Sequence, residues 1–139
     1  MIEVKCFDSL TYDERMLRTS VFIEEQKFKD EFDEIDNDSF HLVLYTDGKA
    51  AACVRFFYDR NTKKYYLGRL CVLKEYRGRH MGEMLVREVE VRVKNLGGTV
   101  VALSAQVRAS GFYEKLGYKK MGDIYYDEYC EHIHMEKSL

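Results

Sequence analysis

The feature that most constrains the fold is a continuously apolar segment, YYLGRLCVL (residues 65–73), which runs into a Gly- and Arg-containing turn and then an amphipathic helix. A strand without polar alternation is buried on both faces, so this segment predicts a central strand in a sheet covered by helices. The helix is predicted over residues 79–96, ended by Gly97 and Gly98. Its buried stripe is predicted to be Met81, Leu85, Val89, Val93 and Leu96.

The rest of the chain predicts short elements in a regular order. IEVKCF alternates as a strand, and a helix over YDERMLRTSVFIEEQ would be capped by Ser9 or Asp8. Its core-facing residues are predicted to be Leu10, Met16, Leu17, Val21 and Phe22. HLVLY and KAAACVRFFY flank the hairpin signal TDG, and TVVALSA, VRASGFYEKLG and a last hairpin follow. The order β-α-(α)-β-β-β-α-β-α-β-β predicts one α/β (α+β) domain over residues 1–139, with a mixed sheet under its helices.

Composition narrows the class of protein. The 139 residues are 46% hydrophobic and 33% charged, which suits one globular core. The net charge of -2 gives no reason to expect nucleic acid or an anionic membrane as a partner. No apolar run approaches the roughly 20 residues of a bilayer span, and the N-terminus has no signal-peptide pattern. The four scattered cysteines lack metal-site spacing, so we expect a cytoplasmic protein with reduced thiols and no metal.

The turn before the predicted helix, EYRGRHMGEML, concentrates glycine and cationic side chains at a helix N-terminus. Free backbone N–H groups and the helix dipole favour an anion there, and glycine lets a phosphate come close to the backbone. Arg77 and Arg79 add charged donors. The stretch is neither a Walker loop nor a dinucleotide GxGxxG motif. It predicts a phosphate or pyrophosphate cradle, and the alternative is an ordinary turn with solvated arginines.

Two blocks resemble a known family. YRGRHMG resembles the acetyl-CoA-binding motif of the GNAT superfamily of N-acetyltransferases, [QR]-x-x-G-x-[GA], which falls here on Arg77, His80 and Gly82. His80 replaces the usual first glycine of the motif. LSAQVRASGFYEKLGYKKMG resembles the second block of the family, with Gln106 where many members have Asn. The matching positions of that block are Ala109, Phe112, Tyr113, Gly117 and Tyr118.

Narrower resemblances follow from the ends of the chain. LRTSVFIEEQ, EFDEIDNDSFHLV, LGRLCV, LSAQ and EHIHM together look like the ElaA-like branch of small bacterial GNAT proteins. R-x-x-V-F followed by E-x-D-x-x-D also resembles the acyl-homoserine-lactone synthases, although this chain is short for that family and lacks tryptophan. That pattern comprises Arg18, Val21, Phe22, Glu31, Asp33 and Asp36.

The resemblance implies a GNAT fold with six to seven mostly antiparallel strands and a splayed strand pair that binds acyl-CoA. It implies acetyl transfer from acetyl-CoA to a primary amine of a small molecule or protein, by direct attack in a ternary complex, without a metal. The implied cofactor-binding residues are Leu70, Cys71, Val72, Arg77, Gly78, Arg79, His80, Met81, Gly82, Glu83, Gln106 and Tyr113. A homodimer stays open, as do a non-catalytic acyl-CoA-binding module and a lactone-synthase-like acyltransferase.

The catalytic candidates are one acid and three bases. The resemblance gives Tyr113 as the acid for the leaving thiolate, since a phenol donates one proton. His41, His132 or Glu25 is the candidate base that accepts the proton of the amine. Arg55 and Arg69 lie in apolar strands and are expected to form structural ion pairs with Glu31, Asp33 or Asp36, and the alternative is that they hold a substrate carboxylate. The acidic stretch over residues 24–38 predicts either a lip that attracts a cationic amine or a solvated loop.

Overall fold

A computed structural model describes all residues, 1–139, as one seven-stranded sheet with helices on its faces. Three α-helices occur: α1 (Tyr12–Arg18), α2 (Met81–Asn95) and α3 (Ser110–Lys115). A π-helix (Thr19–Glu25) and a 3₁₀ turn (Glu34–Asp38) follow α1. The strands are β1 (Ile2–Phe7), β2 (Phe40–Thr46), β3 (Lys49–Asp59), β4 (Lys64–Val72), β5 (Val100–Gln106), β6 (Lys119–Asp127) and β7 (Cys130–Ser138). None of the helices is both long and apolar enough to cross a membrane.

The sheet has the order β1-β2-β3-β4-β5-β7-β6, so the apolar strand β4 lies at its centre. Every neighbouring pair is antiparallel except β4 and β5, which are parallel. The parallel pair requires a crossover, and α2 supplies it. The predicted fold class, element order and strand number are confirmed.

The helix predicted after β1 differs in detail. Thr11, and not Ser9 or Asp8, caps α1 by accepting a hydrogen bond from the Glu14 N–H. The chain then leaves α-geometry for seven residues of π-helix, whose wider turn changes which side chains face the sheet. Leu17, Val21 and Phe22 are buried, whereas Met16 is 54% exposed and its predicted core position is wrong.

The buried stripe of α2 largely follows its apolar periodicity. Met81, Leu85, Val89 and Val93 are buried as predicted, and Val86 joins them, whereas Leu96 lies outside the helix and is exposed. Gly98 follows the helix, and a Cβ there would lie 2.5 Å from Val93 and 2.8 Å from Tyr65. The end of α2 therefore packs against β4 at a distance that a larger residue would prevent.

A buried ionic cluster joins α1 to the sheet. Arg18 is fully buried and donates to Glu14 at 2.6 Å, to Glu31 at 2.9 Å and to Asp36 at 2.8 Å. Burial alone would raise the pKa of Asp36, but hydrogen bonds from Arg18 and Arg55 outweigh it and lower that pKa. Two carboxylates of the acidic stretch, Glu31 and Asp36, are therefore buried against arginine, whereas its other acidic residues are exposed.

Two more arginines extend this cluster to the central strands. Arg55 of β3 donates to Asp33 at 2.6 Å and to Asp36 at 2.9 Å. Arg69 of β4 donates to the Glu31 carbonyl at 3.0 Å and to Asp33 at 3.2 Å. The cluster thus ties the 31–36 segment to two neighbouring strands. Of the alternatives for Arg55 and Arg69, the structure shows the ion pairs.

His41 supplies the remaining positive charge of this buried ionic cluster around Arg18, the Arg18 cluster. Its two ring nitrogens each lie 2.9 Å from an acceptor, the Glu14 carboxylate and the Asp36 carbonyl. A protonated ring can donate to both acceptors at once, so this arrangement favours the imidazolium form of His41. Burial alone would lower the pKa of His41, but these hydrogen bonds raise it. With His41 charged, four cations face the four carboxylates Glu14, Glu31, Asp33 and Asp36, so the cluster is neutral.

The stability of the protein should depend on the charge of His41. Its folded-state pKa is raised, so its stabilising effect is complete below the unfolded pKa of about 6.5 and disappears as pH rises through the folded value. Urea unfolding of the wild type and of His41→Gln at several pH values tests this. The free-energy difference should be largest near pH 6 and should shrink toward pH 9. A difference that does not change with pH would contradict the imidazolium.

Candidate active site

The central strands β4 and β5 pair over only part of their length. They are in register at Tyr65–Val101, Tyr66–Ala102 and Leu67–Leu103, although β4 continues to Val72 and β5 to Gln106. Opposite the break, β4 has one more residue than β3, because Arg55 pairs with Gly68 and Cys53 with Cys71. Arg69 lies in this bulge at φ +55°. The bulge turns β4 away from β5 and opens a gap at the centre of the sheet.

Two cavities adjoin this gap. The α2 cavity, about 630 Å³, lies between the end of β4, the start of α2 and α3. The hairpin cavity, about 730 Å³, lies between the π-helix, the ends of β4 and β5, and the β6–β7 turn. The residues that line both cavities are Gln26, Leu70, Arg77, Ala109 and Tyr113. A ligand threaded through the gap would therefore contact both.

The α2 cavity contains the predicted anion cradle. The first intrahelical bond of α2 is donated by the Met84 N–H to the His80 carbonyl, so the N–H groups before Met84 have no partner within the helix. Of the predicted residues 77–83, all except Arg79 line this cavity, and the Arg79 guanidinium lies over the Tyr76 ring instead. The predicted Leu70, Cys71 and Val72 line its opposite side.

The backbone conformation at His80 explains why glycine would suit this position. It precedes α2 in the left-handed conformation, at φ +62° and ψ +18°. Glycine adopts this conformation without strain, whereas a Cβ adds a steric cost. The turn also needs Gly78 at φ +82°, and a Cβ on Gly82 would lie 3.3 Å from the Phe112 ring. The departure from the family motif thus leaves the turn intact at some conformational cost.

Tyr113 lies where the two cavities meet. Its ring packs edge-to-face on Phe112 and Tyr118, and its hydroxyl makes no hydrogen bond within the protein. Burial raises the pKa of this phenol, so it stays protonated at neutral pH. A protonated, unpaired hydroxyl at this place is suited to donate a proton to a group in the gap.

His132 lies in the hairpin cavity in a tautomer that suits a base. Its Nδ1 donates to the Cys130 carbonyl at 3.1 Å, which leaves the lone pair of Nε2 free to accept a proton. The ring packs between Phe28 and Tyr125, with centroid distances of 6.4 and 6.1 Å. His132 is therefore oriented by its neighbours while one nitrogen remains available.

Glu25 and Gln106, which were predicted for different roles, are both held at the gap by side-chain pairs. The Glu25 carboxylate accepts from Arg77 at 2.7 and 2.8 Å, and this hydrogen bonding lowers the pKa of Glu25. The Gln106 amide donates to the Gln26 side chain at 2.8 Å. The C-terminal end of the π-helix is thus tied to β5 and to the turn that follows β4.

Three predicted residues are engaged by the Arg18 cluster. His41 and Arg55 are almost fully buried in it and line neither cavity, whereas a base or a substrate-binding group would have to face one. Arg69 does line the hairpin cavity, but its guanidinium is held by Glu31 and Asp33. Burial lowers the pKa of Arg69.

The sequence analysis missed much of the hairpin cavity. The N–H groups of Lys29 and Asp30 donate to the Glu128 carboxylate at 3.0 to 3.3 Å. Phe28 stacks on Tyr129 with ring centroids 5.2 Å apart. These contacts close the β6–β7 turn onto the segment after the π-helix. They join residues about a hundred positions apart, and no local pattern in the sequence indicates them.

Comparison with known proteins identifies the protein family. The sequence model of the acetyltransferase (GNAT) domain matches residues 9–139. The uncharacterized N-acetyltransferase YjcF of Bacillus subtilis is 32% identical over 124 residues, which cover 87% of each chain. The chain belongs to the GNAT acetyltransferase family, and so its fold and family are those of acyl-CoA-dependent acetyltransferases.

Two further relatives refine the placement. Protein ElaA of Escherichia coli is 25% identical over 128 residues, which cover 88% of this chain and 84% of ElaA. The ElaA crystal structure covers 99% of each chain with a TM-score of 0.86. An acyl-CoA N-acyltransferase structure from Pseudomonas aeruginosa has the same TM-score of 0.86 at 28% identity and covers 99% of each chain. The chain is thus an ElaA-like GNAT protein.

The strain at His80 gives a prediction that is independent of activity. His80→Gly should keep or slightly raise stability, because the relief of the left-handed conformation offsets the added freedom of the unfolded chain. His80→Val should cost about 1–2 kcal/mol more than His80→Gly, because a β-branched residue is strongly disfavoured there. Urea unfolding of the two variants measures the difference. Equal stabilities would contradict the left-handed turn.

Proposed function

We propose that this protein transfers an acetyl group from acetyl-CoA to a primary amine of a small molecule or a protein. The observation that carries the proposal is that two cavities meet at Tyr113 in the gap between β4 and β5. One cavity suits a phosphate-bearing donor, and the other suits an acceptor. Reaction in a ternary complex needs this arrangement, because donor and acceptor must be bound together.

The α2 cavity fits acetyl-CoA by the chemistry of its donors. The unpaired N–H groups at the start of α2, together with Arg77, would hold the pyrophosphate. The backbone of Leu70, Cys71 and Val72 would hold the pantetheine arm where β4 has left β5, and Gln106 would contact it from β5. When bound, acetyl-CoA supplies a thioester carbonyl that a neutral amine can attack.

Two side chains would move the protons. Nε2 of His132 accepts a proton from the attacking amine as the C–N bond forms. The Tyr113 hydroxyl donates its proton to the thiolate as the C–S bond breaks. Glu25 is the alternative base, but in this structure its carboxylate is engaged by Arg77. Cys71 is an unsuitable nucleophile, since it is buried with its Sγ 3.5 Å from the Cys53 Sγ.

The lactone-synthase alternative has less support. The polar residues of the pattern that resembles those enzymes include Arg18, Glu31, Asp33 and Asp36. All four belong to the buried ionic cluster, so folding accounts for their presence. The non-catalytic module is the more direct rival, because it would use the same α2 cavity without proton transfer. The two experiments that follow separate it from an enzyme.

Binding and turnover should respond differently to loss of the Tyr113 hydroxyl. Tyr113→Phe should leave acetyl-CoA binding close to wild type, because the hydroxyl makes no contact that supports the fold. Release of CoA with an accepted amine should fall by about 10²-fold, as expected for loss of a general acid. Thermal melts and a CoA-release assay over a panel of amines measure both. Tyr126→Phe, at an exposed tyrosine outside both cavities, is the matched control.

The outcomes separate the candidates. If the wild type shows no melting shift with millimolar acetyl-CoA, the acyl-CoA site is wrong. If binding is tight but no amine supports turnover, the chain is a binding module. If Tyr113→Phe turns over like Tyr126→Phe, then another group protonates the thiolate.

Loss of His132 should change the pH profile as well as the rate. His132→Gln should lower kcat/KM by about 10²–10⁴-fold and should alter the pH dependence of the rate, because the group that accepts the proton of the amine is lost. The binding of acetyl-CoA should stay unchanged, because His132 lines only the hairpin cavity. His134→Gln, on the same strand and outside both cavities, is the control. An unchanged pH profile in His132→Gln would contradict its role as the base.

A further inference from the structure

Arg77 is engaged by the protein itself at the site where the pyrophosphate is proposed to bind. Nη1 and Nη2 donate to the two oxygens of Glu25 at 2.8 and 2.7 Å, and Nε donates to the Val72 carbonyl at 2.9 Å. Arg77 lies in the turn that leads into α2 and lines both cavities. Its guanidinium is therefore shared between the two halves of the site.

Glu25 belongs to the other half of the site. It is the last residue of the π-helix, it lines the hairpin cavity alone, and Arg77 is its one hydrogen-bond partner. The side chains of Glu25 and Arg77 are 42% and 41% exposed. An arginine–carboxylate pair that is open to solvent is a weak interaction, so an anion that binds arginine more strongly can replace the carboxylate.

A pyrophosphate is such an anion. Arginine binds phosphate oxygens through the same two-pronged geometry that it uses here for a carboxylate, and a pyrophosphate brings more negative charge. The N–H groups at the start of α2 would hold this anion beside Arg77. Bound acyl-CoA and Glu25 would then compete for one guanidinium.

We propose that Arg77 exchanges Glu25 for the pyrophosphate when acyl-CoA binds, and that the released Glu25 carboxylate then binds the acceptor as an ammonium ion in the hairpin cavity. The ammonium ion loses one proton to solvent before the neutral amine attacks, and His132 accepts the second proton as the C–N bond forms. This inference rests on the proposed function and adds a way in which donor binding regulates acceptor binding. It makes donor binding a condition for acceptor binding, so the amine site is complete only when the pyrophosphate of a CoA ligand occupies the α2 cavity. By linkage, a bound amine would also tighten the binding of acyl-CoA.

The surroundings of Glu25 support this exchange. The next residue, Gln26, accepts from the Gln106 amide at 2.8 Å, so the backbone at Glu25 stays attached to β5 while the side chain turns. Lys74 and Arg108 also act on Glu25 and favour its ionised form. The carboxylate therefore keeps its charge after Arg77 leaves, as the binding of an ammonium group requires.

The first test compares the Kd for CoA with the Kd for pantetheine, which lacks the pyrophosphate. Glu25→Gln removes the competing charge, so it should tighten CoA binding by about fivefold or more and leave pantetheine unchanged. Glu24→Gln is the matched control, because Glu24 is the exposed neighbour with the same charge and no partner in either cavity. Equal Kd values for CoA in Glu25→Gln and Glu24→Gln would overturn the exchange.

A double-mutant cycle tests whether the effect passes through Arg77. Arg77→Met should weaken CoA binding, and the addition of Glu25→Gln to Arg77→Met should then have no further effect. Thermal melts without ligand establish that each variant is folded. A Glu25→Gln effect that persists without Arg77 would overturn the exchange, because it would then be a general charge effect.

The acceptor half is tested by kinetics with any amine that supports CoA release. Glu25→Gln should raise KM for the amine by about tenfold and change kcat little, while it tightens the donor. The exchange predicts tighter binding of the donor together with a higher KM for the acceptor. A loss of folding would weaken the binding of both. A fall in kcat with unchanged KM would instead make Glu25 the base.

Failure of the exchange differs from failure of the proposed function. A wild type that binds CoA and acetylates amines, but whose Glu25→Gln variant matches Glu24→Gln in CoA binding, overturns only the exchange. A wild type that does not bind CoA overturns both.

Discussion

Arg18 is the residue around which the active-site sheet is organised, because it collects buried carboxylates from two segments of the chain. Buried charges are tolerated only when they are paired, and loss of one partner typically costs about 3–5 kcal/mol. The cluster ends at Arg69, inside the bulge of β4. The ion pairs that attach α1 to the sheet therefore also hold the bulge that separates β4 from β5. The gap is a property of the whole domain.

The two halves of the site are formed by different parts of the chain. The proposed donor half consists of groups at the end of β4 and the start of α2, which are neighbours in the sequence. The proposed acceptor half consists of side chains from the π-helix, the segment after it and the β6–β7 turn, which are brought together across the fold. Glu25 and Arg77 connect the halves.

What could be predicted from the sequence follows the same division. The central strand, the order of elements and the turn over residues 77–83 carry local signals, namely apolar continuity, glycine position and a helix start. The need of a charge in an apolar strand for a partner predicted the ion pairs of Arg55 with the acidic stretch, but nothing in the sequence indicated that Glu14 is the partner of His41. The π-helix and the contact between Lys29 and Glu128 had no signal at all, because both depend on tertiary packing.

Main-chain recognition also has an evolutionary consequence. The N–H groups at the start of α2 belong to every residue type except proline, so a substitution such as histidine for glycine at position 80 removes none of them. Point mutations at this turn can therefore change its side chains while the N–H groups that would hold the pyrophosphate stay in place.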